Sequence, residues 1–325
     1  MSQSHPFKAY EEISDDLGAV ERKLREVLQS DVPLVTEVTQ HPARGGGKRL
    51  RPALVLLGGR FYRPEERERL IGLATSAELI HMATLVHDDI VDRADKRRGR
   101  DTVNARWGDR MAVLAGDYLL GSALALVAEW GTQEVISSLS RCVQEMAKSE
   151  MRQFGGVNRL ATTEADYLDW IEKKTALLMA ESAQLGAMGS GAPPEIVGPL
   201  WAFGRAVGLC FQIVDDLLDL TAPPDRLGKP AGGDIRNGVS TLPIIHALAE
   251  SSERARLKAI LLDGQGSDDL EEVVGILRRS GSFEYAFGRA SSFAAVARHE
   301  LDKLPTIPAR QALSDMVDSL LYRTH

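Results

Sequence analysis

The stretch EERERLIGLATSAELIHMATLVHDDIVDRA, residues 65–94, sets apolar side chains three and four positions apart along its whole length, which is the period of a helix. Apolar residues fall on more than one of its faces, so it predicts a long helix buried within a bundle. The same period recurs on both sides. It predicts helices over about 8–30, 49–61, 65–94, 108–129, 133–155, 165–190, 195–220, 241–263, 268–280, 283–303 and 308–323. Alternation of period two is nearly absent and aromatic residues make up only 6% of the chain, so the expected fold class is all-α. Glycine and proline punctuate the pattern, as in GSGAPP at 189–194 and TAPPD at 221–225. No longer linker, low-complexity tract or fixed repeat interrupts it. The expectation is one multi-helix domain spanning residues 1–325, in which the long helices between 65 and 220 form a central bundle with the shorter ones packed around it.

With 325 residues, 44% of them hydrophobic, the chain has enough apolar surface for a large core. A net charge of -7 offers no broad positive field for nucleic acid, so any polyanionic partner must be gripped by local cations. Cys142 and Cys210 stand apart in apolar helical contexts, which predicts buried thiols, neither a zinc site nor a disulfide. The opening MSQSHPFKAYEE lacks a charged-then-apolar leader pattern. The most apolar stretch, 111–130, is interrupted by Gly116 and Asp117. No transmembrane segment and a cytoplasmic location are therefore expected.

Within LVHDDIVD, Asp88, Asp89 and Asp92 lie in an apolar helical run. Asp88 and Asp92 share a face one turn apart, and Asp89 is a third of a turn aside. The expectation is three carboxylates converging near a helix C-terminus, where the dipole adds negative potential and the cluster repels itself without cations. A solvated acidic face is the plainer explanation of such a run. A second copy argues against it: CFQIVDDLLDL places Asp215, Asp216 and Asp219 at the same spacing in another apolar helix. Carboxylates without histidine or cysteine suit a hard cation, and Mg²⁺, which keeps waters and takes phosphate oxygens, fits best. The pair implies a metal-bridged diphosphate.

Cations stand near both motifs. GGGKRLRP supplies Lys48, Arg49 and Arg51, KRRGR supplies Arg97, Arg98 and Arg100, KKT supplies Lys174 before Thr175, and LGKP supplies Lys229. Singly, each is an ordinary surface charge. Arg97 and Arg98 follow the first aspartates by one to two turns and can face the same phosphates. Gly45 to Gly47 let backbone approach an anion. His81 lies about two turns before Asp88, whereas His87 carries no sign of being a ligand.

These motifs, in the order GGKRLRP, HDDIVD, RRG, KKT, FQIVDD and GKPAGGD, resemble the trans-isoprenyl diphosphate synthase family over nearly the whole chain. IHMATLVHDDIVD, KKTALLMAESAQLGAMGSGA and GDIRNGVSTLPIIHAL are most similar to its long-chain bacterial members, in particular the catalytic large subunit of heptaprenyl diphosphate synthases. The resemblance implies a Mg²⁺-dependent prenyltransferase that joins isopentenyl diphosphate to an allylic diphosphate such as farnesyl diphosphate. It implies about three Mg²⁺ ions held by Asp88, Asp89, Asp92, Asp215, Asp216 and Asp219. Arg97, Lys174 and Lys229 would bind the allylic diphosphate, and Lys48, Arg51, His81 and Arg98 the isopentenyl diphosphate. Thr175 and Gln212 would turn oxygens toward the allylic cation, and the departed diphosphate would take the proton. Ala83 and Thr84, one turn before the first aspartates, would leave room for a product of about six to eight isoprene units, heptaprenyl diphosphate by preference.

The resemblance also implies a homodimer, or a heteromer with a small regulatory subunit, and use of the product in a respiratory quinone such as menaquinone. Two positions depart from the family pattern. Val239 stands where many relatives have lysine, and Asp101 where proline is usual. A shorter-chain synthase of the farnesyl or geranylgeranyl type and a noncatalytic regulatory subunit are the alternatives. A terpene cyclase is disfavoured by the second DDxxD copy, and a regulatory subunit by the retention of both copies.

Overall fold

A computed structural model describes residues 8–154, 161–221, 232–236, 239–262 and 270–322. Its helices are α1 (Ser14–Val27), α2 (Pro33–Ala43), α3 (Leu50–Gly59), α4 (Arg67–Val91), α5 (Val103–Trp107), α6 (Asp109–Trp130), α7 (Gln133–Phe154) and α8 (Glu164–Ile171). After a π-helical turn at Glu172–Ala176 come α9 (Leu177–Gly189), α10 (Pro194–Thr221), α11 (Gly233–Arg236), α12 (Leu242–Glu250), α13 (Arg254–Leu262), α14 (Leu270–Arg279), α15 (Ser282–Asp302) and α16 (Pro308–Leu321). The fold is all-α, as the spacing of apolar residues predicts.

The described residues gather into two compact units, one from Met1–Val143, Leu178–Gly204 and Arg298–Met316, the other from Gln144–Leu177, Arg205–Ala297 and Val317–His325. In the first unit α4 packs along α6 and against α3 and α1, with Leu54, Leu57, Leu73, Ala77 and Leu79 fully buried. A buried carboxylate ties this unit together: Glu181 accepts from the hydroxyl of Ser138 at 2.7 Å, the amide of Gln184 at 2.9 Å and the indole of Trp201 at 3.2 Å. Three neutral donors replace the water that the carboxylate loses. The second unit has its own apolar core from Leu220, Ile244, Leu257, Ile260, Val273, Ile276 and Leu277.

The structure corrects several sequence expectations. Helix α2 has no counterpart among them, because Pro33, Pro42 and β-branched residues weaken its helical signal, yet Pro33 sits at the helix start where its missing N–H is harmless. The helix expected over 241–263 is two, α12 and α13, parted where Ser251 is extended at ψ 139°. A two-residue hairpin, β1 (Lys96–Arg97) against β2 (Arg100–Asp101), appears where none was foreseen. Its turn residues Arg98 and Gly99 have φ of 52° and 74°, the left-handed pair that matches the twist of hairpin strands. Strands this short carry no readable alternation.

Both cysteines are buried and outside any disulfide, as expected. Burial, then the neighbouring Glu181, pushes the Cys142 thiol up, which keeps it unreactive. Among the described residues three helices are long and apolar enough to cross a membrane, α4, α6 and α10, so Gly116 and Asp117 do not remove α6 from that group. In α4, 78% of the most apolar window is buried inside the protein.

Candidate active site

In the first unit the end of α4 carries the first aspartate motif. Asp92 caps the helix, its N–H donating to the Asp88 carbonyl at 2.8 Å, and its side chain is exposed. Asp89 is only 5% exposed and takes Nε of Arg97 at 2.8 Å. Burial raises the Asp89 carboxyl above the ordinary range, Arg97 opposes the rise, and Asp92 adds to it. Among the described residues no group of three His, Cys, Asp and Glu side chains stands ready around one metal ion. Asp89 turns inward to Arg97, while Asp92 lies in the exposed last turn. The donor set still fits Mg²⁺, which needs one or two carboxylates and completes its shell with water and phosphate.

Beside this end of α4 lies an open pocket lined by Arg49, Glu78, His81, Arg97 and Arg98, and also by His41, Gly45 and Gly46. Arg98 donates to the Gly46 carbonyl. Arg49, which the sequence reading left without a role, is an organiser: it pairs with Glu21 and, at 2.6 Å, with the buried Glu78. Burial pushes the Arg51 guanidinium down to about 10, still charged at neutral pH, and its Nε has no partner. His81 is held well below the usual imidazole range, first by burial and then by repulsion from Arg51, Arg98, Arg97 and Arg49. It is therefore neutral at pH 7. Arg49, Arg97, Arg98 and Arg100 line the pocket around this imidazole and suit it to an anion, whereas Arg51 acts on His81 from outside the lining. Lys48 does not line this pocket, and its carbonyl takes the Tyr10 hydroxyl.

Ala83 is buried on α4, and Thr84 donates to the His81 carbonyl at 2.8 Å. His87 lies 3.6 Å from Asp117, an ordinary half-exposed pairing.

In the second unit Asp215 is exposed, whereas Asp216 and Asp219 are each 3% exposed. Both oxygens of Asp216 are engaged, Oδ2 by the Tyr167 hydroxyl at 2.6 Å and Oδ1 by the Gln212 amide at 2.8 Å. Gln212 in turn accepts from Thr175 at 2.7 Å. Burial pushes the Asp216 carboxyl well up, Asp234 and Asp215 push it further, and the bonds from Tyr167 and Gln212 pull the other way. Asp219 accepts the Asp234 N–H at 3.1 Å. These buried like charges call for a cation.

Lys174 and Thr175 sit in the π-helical turn, a distortion frequent at functional sites. Lys174 pairs with Glu150 at 3.3 Å and lies 5.3 Å from the centre of the Trp170 ring. Val239 donates its N–H to the Asp234 carbonyl at 2.8 Å. Lys229 lies outside the described residues. Tyr167 was missed by the sequence reading; its place two turns before Lys174, on the same face, was the signal.

The profile of a family described as Polyprenyl synthetase matches residues 32–277. The chain is 40% identical over 309 residues to heptaprenyl diphosphate synthase component 2 of Geobacillus stearothermophilus, covering 94% of this chain and 95% of that protein. It is 38% identical to nonaprenyl diphosphate synthase of Mycobacterium tuberculosis, over 94% of this chain and 92% of that one. Among solved structures, a polyprenyl synthase of Caulobacter crescentus complexed with calcium and isoprenyl diphosphate superposes with a TM-score of 0.92 at 31% identity, covering 98% of this chain and 97% of the other.

Proposed function

This chain belongs to the polyprenyl synthetase family and is a prenyltransferase, and from that premise we propose that it is a Mg²⁺-dependent, long-chain, all-trans polyprenyl diphosphate synthase acting as one domain. Its substrates are isopentenyl diphosphate and an allylic diphosphate, farnesyl diphosphate by preference, and its product is heptaprenyl diphosphate. The observation that carries the reading is chemical: α4 and α10 each carry buried aspartates whose carboxyls are pushed up by burial and by neighbouring acids, and Arg97 pairs with the first of them. Relatives making heptaprenyl, octaprenyl and nonaprenyl diphosphates support the long-chain reading.

Asp88, Asp89 and Asp92, with Asp215, Asp216 and Asp219, would hold Mg²⁺, which when bound draws negative charge from the leaving diphosphate. Arg97, Lys174 and Lys229 bind the allylic diphosphate. The allylic C–O bond breaks and its electron pair leaves with the diphosphate, while the oxygens of Thr175 and Gln212 steady the cation. The double bond of isopentenyl diphosphate, held by His81, Arg51 and Arg98 with Lys48 near the glycine loop, forms the new C–C bond. The departed diphosphate takes the proton. Tyr167 and Gln212 keep Asp216 oriented throughout.

The test is an assay of the purified chain alone with farnesyl diphosphate, labelled isopentenyl diphosphate and Mg²⁺, with sizing of the product. A product of about seven isoprene units supports the reading. A relative named as component 2 points to a second, dissimilar subunit; activity that appears only when such a subunit is added assigns a heteromer in place of a homodimer. No turnover with or without one would overturn the proposal.

A further inference from the structure

The hairpin that carries Arg97 and Arg98 has one pair of residues on each side of its turn, too few to hold its own shape in water. Arg98 also adopts a left-handed φ of 52°, costly for a residue with a Cβ and stable only where its surroundings dictate it. Those surroundings are the last turn of α2 and the glycine loop. His41, 7% exposed, donates its Nε2 proton to the Asp101 carbonyl at 2.7 Å. Arg100 donates to the Arg44 carbonyl at 2.7 Å, and Arg98 to the Gly46 carbonyl. The His41 ring stands edge-on to Trp107 of α5, with centroids 5.0 Å apart at 85°, and Arg106 beside it pairs with Glu37 of α2 at 2.9 Å. One short segment thus clasps the hairpin at three positions, 98, 100 and 101, and the helix that follows it at two more.

We infer that His41 is a positioning residue, which fixes the hairpin through the Asp101 carbonyl and so sets Arg97 and Arg98 at the mouth of the pocket that His41 also lines. The pairing of strands explains why Asp101 suits this task. Lys96 faces Asp101 next to the pair at the turn, so the Asp101 carbonyl points away from the partner strand and toward α2. Any side chain at 101 keeps that carbonyl. The recognition is in His41. This inference rests on reading the pocket as the isopentenyl diphosphate site.

The experiment compares His41→Leu, His41→Gln, Arg100→Met and Arg98→Ala in steady-state kinetics. His41→Leu is expected to raise KM for isopentenyl diphosphate about tenfold through Arg98, and the allylic KM by a smaller factor through Arg97, with kcat held within about twofold. His41→Gln, which keeps a donor near Nε2, is expected to restore most of the loss. Arg100→Met should raise the KM for isopentenyl diphosphate by a smaller factor and, if His41→Leu does not fold, decides the matter alone. An unchanged KM in the folded clasp variant while Arg98→Ala raises it would overturn the positioning role only. If Arg98→Ala also leaves that KM unchanged, the assignment of the pocket fails and the inference with it.

Discussion

The hydroxyl of Tyr167 donates to Oδ2 of Asp216 at 2.6 Å, and both groups are almost wholly buried. A carboxylate so placed has one oxygen fixed by phenol and the other by Gln212, which leaves one remaining lone-pair direction on each for a metal. Groups that orient a metal ligand are commonly worth ten- to a hundredfold in metal affinity.

Tyr167→Phe removes that bond and nothing else of comparable size. The Mg²⁺ concentration for half-maximal activity should rise about tenfold, with saturating Mg²⁺ recovering most of kcat. A metal titration of the variant checks this, and an unchanged midpoint would show that Asp216 needs no such support.

His81 gives a pH prediction through its depressed pKa. The unfolded chain takes up a proton near pH 6.5 that the folded chain refuses, so the contribution of His81 to stability is fully present above the unfolded value and is lost as pH falls toward the folded value. In urea unfolding between pH 6.5 and 5, wild type should lose up to about 1.4 kcal/mol per pH unit more than His81→Gln. Parallel pH curves would mean that His81 is charged in the folded pocket.

Much of this was legible in the sequence, and what was not has physical causes. The long helices and both aspartate motifs follow from local spacing, which periodicity reads directly. The hairpin is too short for any period, and α2 hides behind two prolines. The pairing of Arg49 with Glu78 and of Tyr167 with Asp216 joins residues 29 and 49 positions apart, and no local pattern predicts which buried charge meets which donor. Helical spacing shows which face Asp88, Asp89 and Asp92 occupy, but not the bond that Asp89 receives from Arg97 in the hairpin just beyond the helix.

Close helix contact in the first unit rests on Gly186. A Cβ there would lie 2.1 Å from the Val55 carbonyl oxygen and 2.7 Å from the Gly59 nitrogen, both backbone atoms that cannot swing away. Gly186→Ala should destabilise by roughly 2–3 kcal/mol, measured by chemical unfolding, without altering the product distribution. A loss under about 0.5 kcal/mol would show that α3 and α9 separate freely.

Chain length is tested at Ala83, buried on α4 five positions before Asp88. Ala83→Leu and Ala83→Phe should shorten the product in that order, read by chromatography of the dephosphorylated alcohols. An unchanged distribution in the folded Phe variant would remove Ala83 from the wall of the product channel.

The most direct measurement is Mg²⁺-dependent incorporation of labelled isopentenyl diphosphate by wild type, Asp88→Ala and Asp215→Ala, each shown by its melting curve to be folded. If one diphosphate depends on metal held by both motifs, each substitution alone lowers turnover by about a hundredfold or more. A folded variant of either kind that turns over at the wild-type rate would contradict the account.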